Sequence, residues 1–248
     1  PIREQGVMAS GDVELPFLEH LEELRWRLIK SIAAVVIFAI PCGIYWQEIF
    51  DLAMVYPLRF ADPKPHLIVT SPVEAVMLSI KIAVAGGIIA STPVIFYQIW
   101  RFVAPGLYKH EKALILPTVF FSTIFFLGGI AFCYVALPHL MRFLAGFSEG
   151  RMDPYYTMNQ YMAFLIKLSL AFGLVFELPV VSFVLTRLGL ITPRFLVSKA
   201  KYAIVAVFIT AAALTPPDVL SQLLLAIPLL LLYAVSILVS LVVVRKRA

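Results

Sequence analysis

Acidic side chains set in or beside apolar runs are where this sequence concentrates its chemistry. Glu177 stands in Phe172-Gly173-Leu174-Val175-Phe176-Glu177-Leu178-Pro179, a stretch with no other charge. An ionised carboxylate near the middle of a bilayer costs about 2.5 kcal/mol or more. It therefore faces protein or water as a functional group, or it is protonated and hydrogen-bonded to carbonyls freed by Pro179. The residues alone leave both readings open. A second group, Glu19, Glu22 and Glu23, lies with His20, Arg25 and Arg27 among Leu15, Phe17, Leu18, Leu21, Leu24 and Leu28, which recur at helical spacing. That pattern predicts an amphipathic helix at a membrane interface, its acids forming a solvated face with internal Glu to Arg pairs or a cation-binding site. Glu111 precedes another apolar run, where an acid stabilises the positive end of a helix dipole.

Other chemistries find little support. His20, His66, His110 and His139 are scattered over four segments with no HExxH, GxSxG or paired-acid pattern, which argues against an intramembrane enzyme. Cys42 and Cys133 fall inside apolar runs without CxxC or Cys/His spacing, so no disulfide, metal site or cofactor is expected.

The elements that position these acids must be solvated by lipid. Hydrophobic residues make up 61% of the chain and charged residues 14%, with a mean hydropathy of +0.94, which leaves too little polar surface for a water-soluble domain. A helix needs about 20 apolar residues to cross a hydrocarbon core of about 30 Å. Six runs qualify as candidates: Leu28 to Trp46, Val76 to Trp100, Ala113 to Leu137, Met158 to Leu188, Tyr202 to Leu214 and Val219 to Val244. The expected fold is an all-α membrane protein of six transmembrane helices. Residues 1–14 read as a flexible tail, with Pro1 to Val7 set aside from the fold argument, and 15–248 as one transmembrane domain. The first twenty residues hold acids and no continuous apolar core, so no cleavable signal peptide is expected.

Basic residues orient the bundle. Placing the amino terminus in the cytoplasm gathers Arg3, Arg25, Arg27, Lys30, Arg101, Lys109, Lys112, Arg187, Arg194, Lys199, Lys201, Arg245, Lys246 and Arg247 on the inner side. Only Arg59, Lys64, Arg142 and Arg151 remain outside, so both termini are expected in the cytoplasm. This distribution accounts for the net charge of +5 without a nucleic-acid partner. Lys81 and Lys167 are expected to snorkel outward. The fifth run, between Lys201 and Thr215, gives only about 20 Å of helix. Either the Thr215 to Asp218 turn sits below the outer surface and thins the bilayer, or neighbouring helices bury it.

Four separated segments carry a resemblance. His20-Leu21-Glu22-Glu23-Leu24-Arg25-Trp26-Arg27-Leu28, Phe102 to Glu111 ending Leu-Tyr-Lys-His-Glu, Phe172 to Pro179, and Leu214-Thr-Pro-Pro-Asp218 followed by Ser-Gln-Leu-Leu-Leu-Ala-Ile-Pro228 are similar to motifs of the TatC family, in the same order. The resemblance covers Leu15 to Val244. It implies a receptor subunit of the twin-arginine translocase in the bacterial inner membrane, binding signal peptides of folded substrates and recruiting TatA and TatB, with transport driven by the proton gradient. It further implies that Glu23 and Glu111 engage the paired arginines and that Arg25, Phe102, Pro105 and Leu107 shape that site. By the same resemblance, Glu177 faces a concave pocket, Pro57 belongs to an outer loop and Asp218 is the outer-turn acid. Two guanidinium groups suit two separated carboxylates through bidentate hydrogen bonds that lysine cannot reproduce. Further copies of the chain are possible partners. The competing class is a proton-coupled secondary transporter using Glu177 and Lys167, against which no inverted repeat is evident.

Overall fold

The structure is a computed structural model that describes residues 14–55, 66–103, 115–146, 155–214 and 219–245. Helix α1 (Glu14–Ile44) runs unbroken through both the amphipathic segment and the first apolar run. No glycine or proline interrupts residues 17–40, so nothing in the chain separates interfacial from spanning helix. Two shorter elements follow, α2 (Trp46–Phe50) and a π-helical turn at Asp51–Val55. Then come β1 (His66–Ile68), α3 (Glu74–Val103), α4 (Ile115–Gly146), β2 (Tyr155–Thr157), α5 (Met158–Phe176), α6 (Leu178–Arg187), α7 (Pro193–Leu214) and α8 (Val219–Arg245). Among the described residues six helical stretches are long and apolar enough to cross a membrane, with α5 and α6 together making the fourth. The end where α1 begins is the near face and the opposite end is the far face.

The fourth stretch is broken because Pro179 cannot donate to the residue four before it. The chain tightens instead, Glu177 N–H donating to the Leu174 carbonyl at 3.1 Å, and α6 restarts with Pro179 in its first turn. The fifth helix is longer than its apolar run. Its 22 residues include a basic first half with Arg194, Lys199 and Lys201.

Helices α4 and α5 form the centre. Toward the far face Leu78 and Ile82 of α3, Cys133 and Leu137 of α4, Leu168 and Phe172 of α5, Ala211 of α7 and Leu225 and Leu229 of α8 make one cluster. Toward the near face Phe96 and Trp100 of α3, Val119 and Phe126 of α4, and Val180 and Val184 of α6 make a second. The buried residues of α5, Tyr161, Met162, Leu165, Leu168, Phe172 and Gly173, follow helical spacing and so share one face. Close approach of helix to a neighbouring backbone oxygen depends on glycine at Gly129 and Gly87. A Cβ on Gly129 would lie 2.6 Å from the Phe172 carbonyl oxygen, and one on Gly87 would lie 2.8 Å from the Val35 carbonyl oxygen. Small residues of this kind let backbones pack without lipid between them. Helix α1 touches mainly α3, and Ala34 is its one buried residue among those described.

The far face is tied together by polar contacts. Strands β1 and β2 pair in parallel, His66 opposite Tyr155 and Ile68 opposite Thr157. Glu74, 6% exposed, accepts from Thr70 N–H at 2.6 Å, Thr70 Oγ1 at 3.0 Å and Asn159 N–H at 2.9 Å. Lys81 donates to Asn159 Oδ1. Its ammonium is therefore held by the head of α5, whereas Lys167 is exposed.

Candidate functional site

Helical geometry places residues three and four apart side by side, and the acidic turn of α1 uses both spacings. Glu23 accepts from Arg27, with Nε at 3.0 Å and Nη2 closer still, and its second oxygen lies 3.6 Å from His20 Nδ1. One of the two readings of these acids, internal Glu to Arg pairing, is thus realised at Glu23. Its side chain remains 35% exposed, so an incoming group can reach it. Glu19, Glu22 and Arg25 are exposed around it, and Leu21, Leu24 and Leu28 form an exposed apolar stripe.

The turn is joined to the rest of the near face by an aromatic contact. The His20 ring stacks on Phe102 with centroids 4.3 Å apart and planes 13° from parallel. Phe102 lies in the last turn of α3, and the stretch that follows carries Pro105, Leu107 and Glu111, which lie outside the described residues, as do Pro57 and Asp218. Val103 and Ile115, the described residues on either side of that stretch, both pack against the near-face cluster. The structure thus brings Glu23, His20 and Phe102 together. His20 and Arg27, which the sequence groups with these acids without assigning them to the binding site, are the partners of Glu23, at the i, i+3 and i, i+4 spacings.

Deeper in, Trp100 Nε1 donates to Ser122 Oγ at 2.8 Å. Glu177 is 6% exposed at the junction of α5 and α6, and neither of its carboxyl oxygens has a hydrogen-bond partner. The carbonyl-bonded arrangement considered from sequence is therefore not adopted. Beside it, Pro179 and Val180 help to line a cavity of about 290 Å³ between α4, α6 and α8, walled by Pro117, Thr118, Phe121, Phe125, Phe183 and Val239. A second cavity of about 340 Å³ lies further toward the far face, with Phe132, His139, Phe172 and Pro228 on its walls. Glu177 sits between the two along the chain and lines neither. Among the described residues no three His, Cys, Asp or Glu side chains gather as a metal site would require.

Residues 19–228 match the family described as TatC, Sec-independent protein translocase protein. The chain is 43% identical over 222 residues to the Sec-independent protein translocase protein TatC of Helicobacter pylori (strain J99), covering 89% of this chain and 87% of that protein. It is 42% identical over 236 residues to the protein of the same description from Aquifex aeolicus (strain VF5), covering 94% of this chain and 98% of that one. A crystal structure described as that of the twin arginine translocase receptor TatC superposes with a TM-score of 0.82 at 41% identity, covering 91% of this chain and 99% of the other. Matched along its length in sequence and backbone, the chain belongs to the TatC family and is a multi-pass membrane subunit of the twin-arginine protein translocase, a transport component and not an enzyme.

Proposed function

We propose that this subunit is the translocase's receptor, binding the twin-arginine signal peptide of folded export substrates at the near face. That face is the cytoplasmic side of the bacterial inner membrane, and both termini lie on it. Glu23 and Glu111 each take one guanidinium of the arginine pair through charge-assisted hydrogen bonds, a match that a planar fork makes and an ammonium does not. Arg25, Phe102, Pro105 and Leu107 shape the surroundings. The apolar part of the signal peptide enters beside the helices near Glu177, where an unpartnered carboxylate and an apolar cavity are neighbours. Pro57 and Asp218 belong to the opposite, outer face. The loaded subunit then nucleates assembly with TatA, TatB and further copies of itself, and the transmembrane proton gradient drives transport.

The observation that carries this reading is the His20–Phe102 stack, which joins the helix bearing Glu23 to the last turn before the segment bearing Glu111. Arg27 holds Glu23 in the meantime, and an i, i+4 pair with this exposure is worth little enough to be exchanged for a bidentate ligand. Lys109 and Lys112 flank Glu111, so contact geometry decides affinity more than long-range attraction does. The test is a signal peptide with a photoreactive residue beside its arginine pair, offered to the full chain in native-like membranes. Labels are expected on the α1 turn and the 102–111 stretch, and labels confined to the far-face segments contradict the reading.

A further inference from the structure

In the far-face half of the bundle, α4 and α8 stand apart with α5 behind them. Helix α8 packs mainly on α6 and α7 and only lightly on α4. Both wall helices carry a proline beside the gap, Pro138 and Pro228, and a proline bends the helix it interrupts. The gap is the cavity of about 340 Å³. Phe132, Val135 and His139 of α4 and Leu224 of α8 are exposed along its sides, and Leu168 and Phe172 of α5, almost wholly buried, form its floor. It is therefore a groove open to lipid.

The polar end of this groove is at the far face. Cys133 of α4 meets Ser169 of α5 at 3.6 Å, and the two helices run antiparallel. From that contact Arg142 is about 14 Å up α4 and Asn159 about 15 Å up α5. Arg142 thus stands level with the Glu74, Lys81 and Asn159 contacts that tie the far face, and it is exposed. His139, also exposed, is one turn below it on the same side of α4. From His139 the groove runs down past Phe132, about 10 Å along the helix, and its other lining residues are apolar.

A cation at the rim, an imidazole one turn in and an apolar slot below follow the order of a phospholipid: phosphate, glycerol esters, chain. The volume agrees. A transmembrane helix about 10 Å wide fills roughly 800 Å³ over a 10 Å length, more than twice the groove, whereas one acyl chain needs only a slot.

We propose that a far-leaflet phospholipid is seated here as a bound ligand, one acyl chain in the groove between α4 and α8 and its phosphate on Arg142, with His139 at the level of the glycerol esters. The lipid completes the packing that α4 and α8 lack at this end. The site is independent of how the near face reads signal peptides.

The test places the full chain in lipid nanodiscs that contain no other protein, doped with a phosphatidylglycerol carrying a photoreactive diazirine near the end of one chain. Crosslinks, mapped by mass spectrometry, are expected to concentrate at Phe132, Phe172 and Pro228 over exposed positions elsewhere, such as Leu174 and Ile209. Arg142→Gln is expected to lower groove labelling roughly fivefold at unchanged melting temperature, the worth of one basic residue beside a headgroup. Ala136→Phe, which fills the slot, is expected to abolish it. A diacylglycerol with the same chain should label the groove no more than the control positions. Even labelling of groove and control positions overturns the proposal. So does groove labelling that Arg142→Gln leaves unchanged or that the diacylglycerol reproduces, because the phosphate then holds nothing. An evenly labelled groove that added TatA or TatB protects belongs to a protein partner instead.

Discussion

Glu74 and Glu177 are equally buried, each 6% exposed, yet their surroundings are opposite. Glu74 accepts three hydrogen bonds from Thr70 and Asn159 and so ties the head of α3 to the head of α5. Glu177 accepts none, at a break between two helices with an apolar cavity alongside. A buried carboxylate that is fully satisfied rigidifies the structure around it, whereas an unsatisfied one costs free energy. The far face is thus tied together by its buried acid, whereas the acid at the α5–α6 break is left unpartnered.

Removing each acid separates the two roles. Glu74→Ala leaves the Thr70 and Asn159 N–H groups without their acceptor and is expected to give the largest loss of thermal stability, read as melting temperature in detergent. Export should fall with it in proportion to the folded protein lost. Glu177→Leu removes an unpartnered polar group, so stability should rise by about 1–3 kcal/mol in denaturant titration while export is lost. A Glu177→Leu protein that melts lower than its parent would erase the contrast. The packing that frames Glu177 can be pressed directly. Gly129→Ala drives a methyl against the Phe172 carbonyl, less than two turns before the acid, and should cost about 1–3 kcal/mol. Trp100→Phe deletes the bond to Ser122 and should cost about 1 kcal/mol. The smallest effect is expected at the near face, where Arg27→Gln frees Glu23 and should tighten a twin-arginine peptide by roughly twofold to fivefold in a binding titration.

The same contrast marks how much of the site is legible in the sequence. Glu177 announces itself, since a charge in Phe172 to Pro179 has no bland neighbour to hide among, and Pro179 marks the break. Glu74 reads as an ordinary acid of a helix's first turn. Its partner Asn159 is far along the chain, and no local pattern links the two. The same holds for His20 and Phe102, whose stacking depends on how α1 leans on α3. Six spans were legible because lipid imposes length and polarity on each one separately. The placing of α7 along α8 was not, because apolar runs carry no register and the bonds that set it, Tyr233 Oη to the Leu196 carbonyl and Gln222 Nε2 to the Phe208 carbonyl, join positions with no sequence relation. Lys81 looked like a snorkelling cation, and its hold on Asn159 became visible only once α3 and α5 were side by side.

The central claim is that a carboxylate on the near rim distinguishes arginine from lysine. Its most direct test is the affinity of a twin-arginine peptide and its twin-lysine counterpart for the full chain and for Glu23→Ala, measured alongside melting temperature. The parent is expected to prefer arginine by about tenfold or more, and Glu23→Ala to lose most of that preference at unchanged melting temperature. Equal discrimination by the two proteins would contradict it.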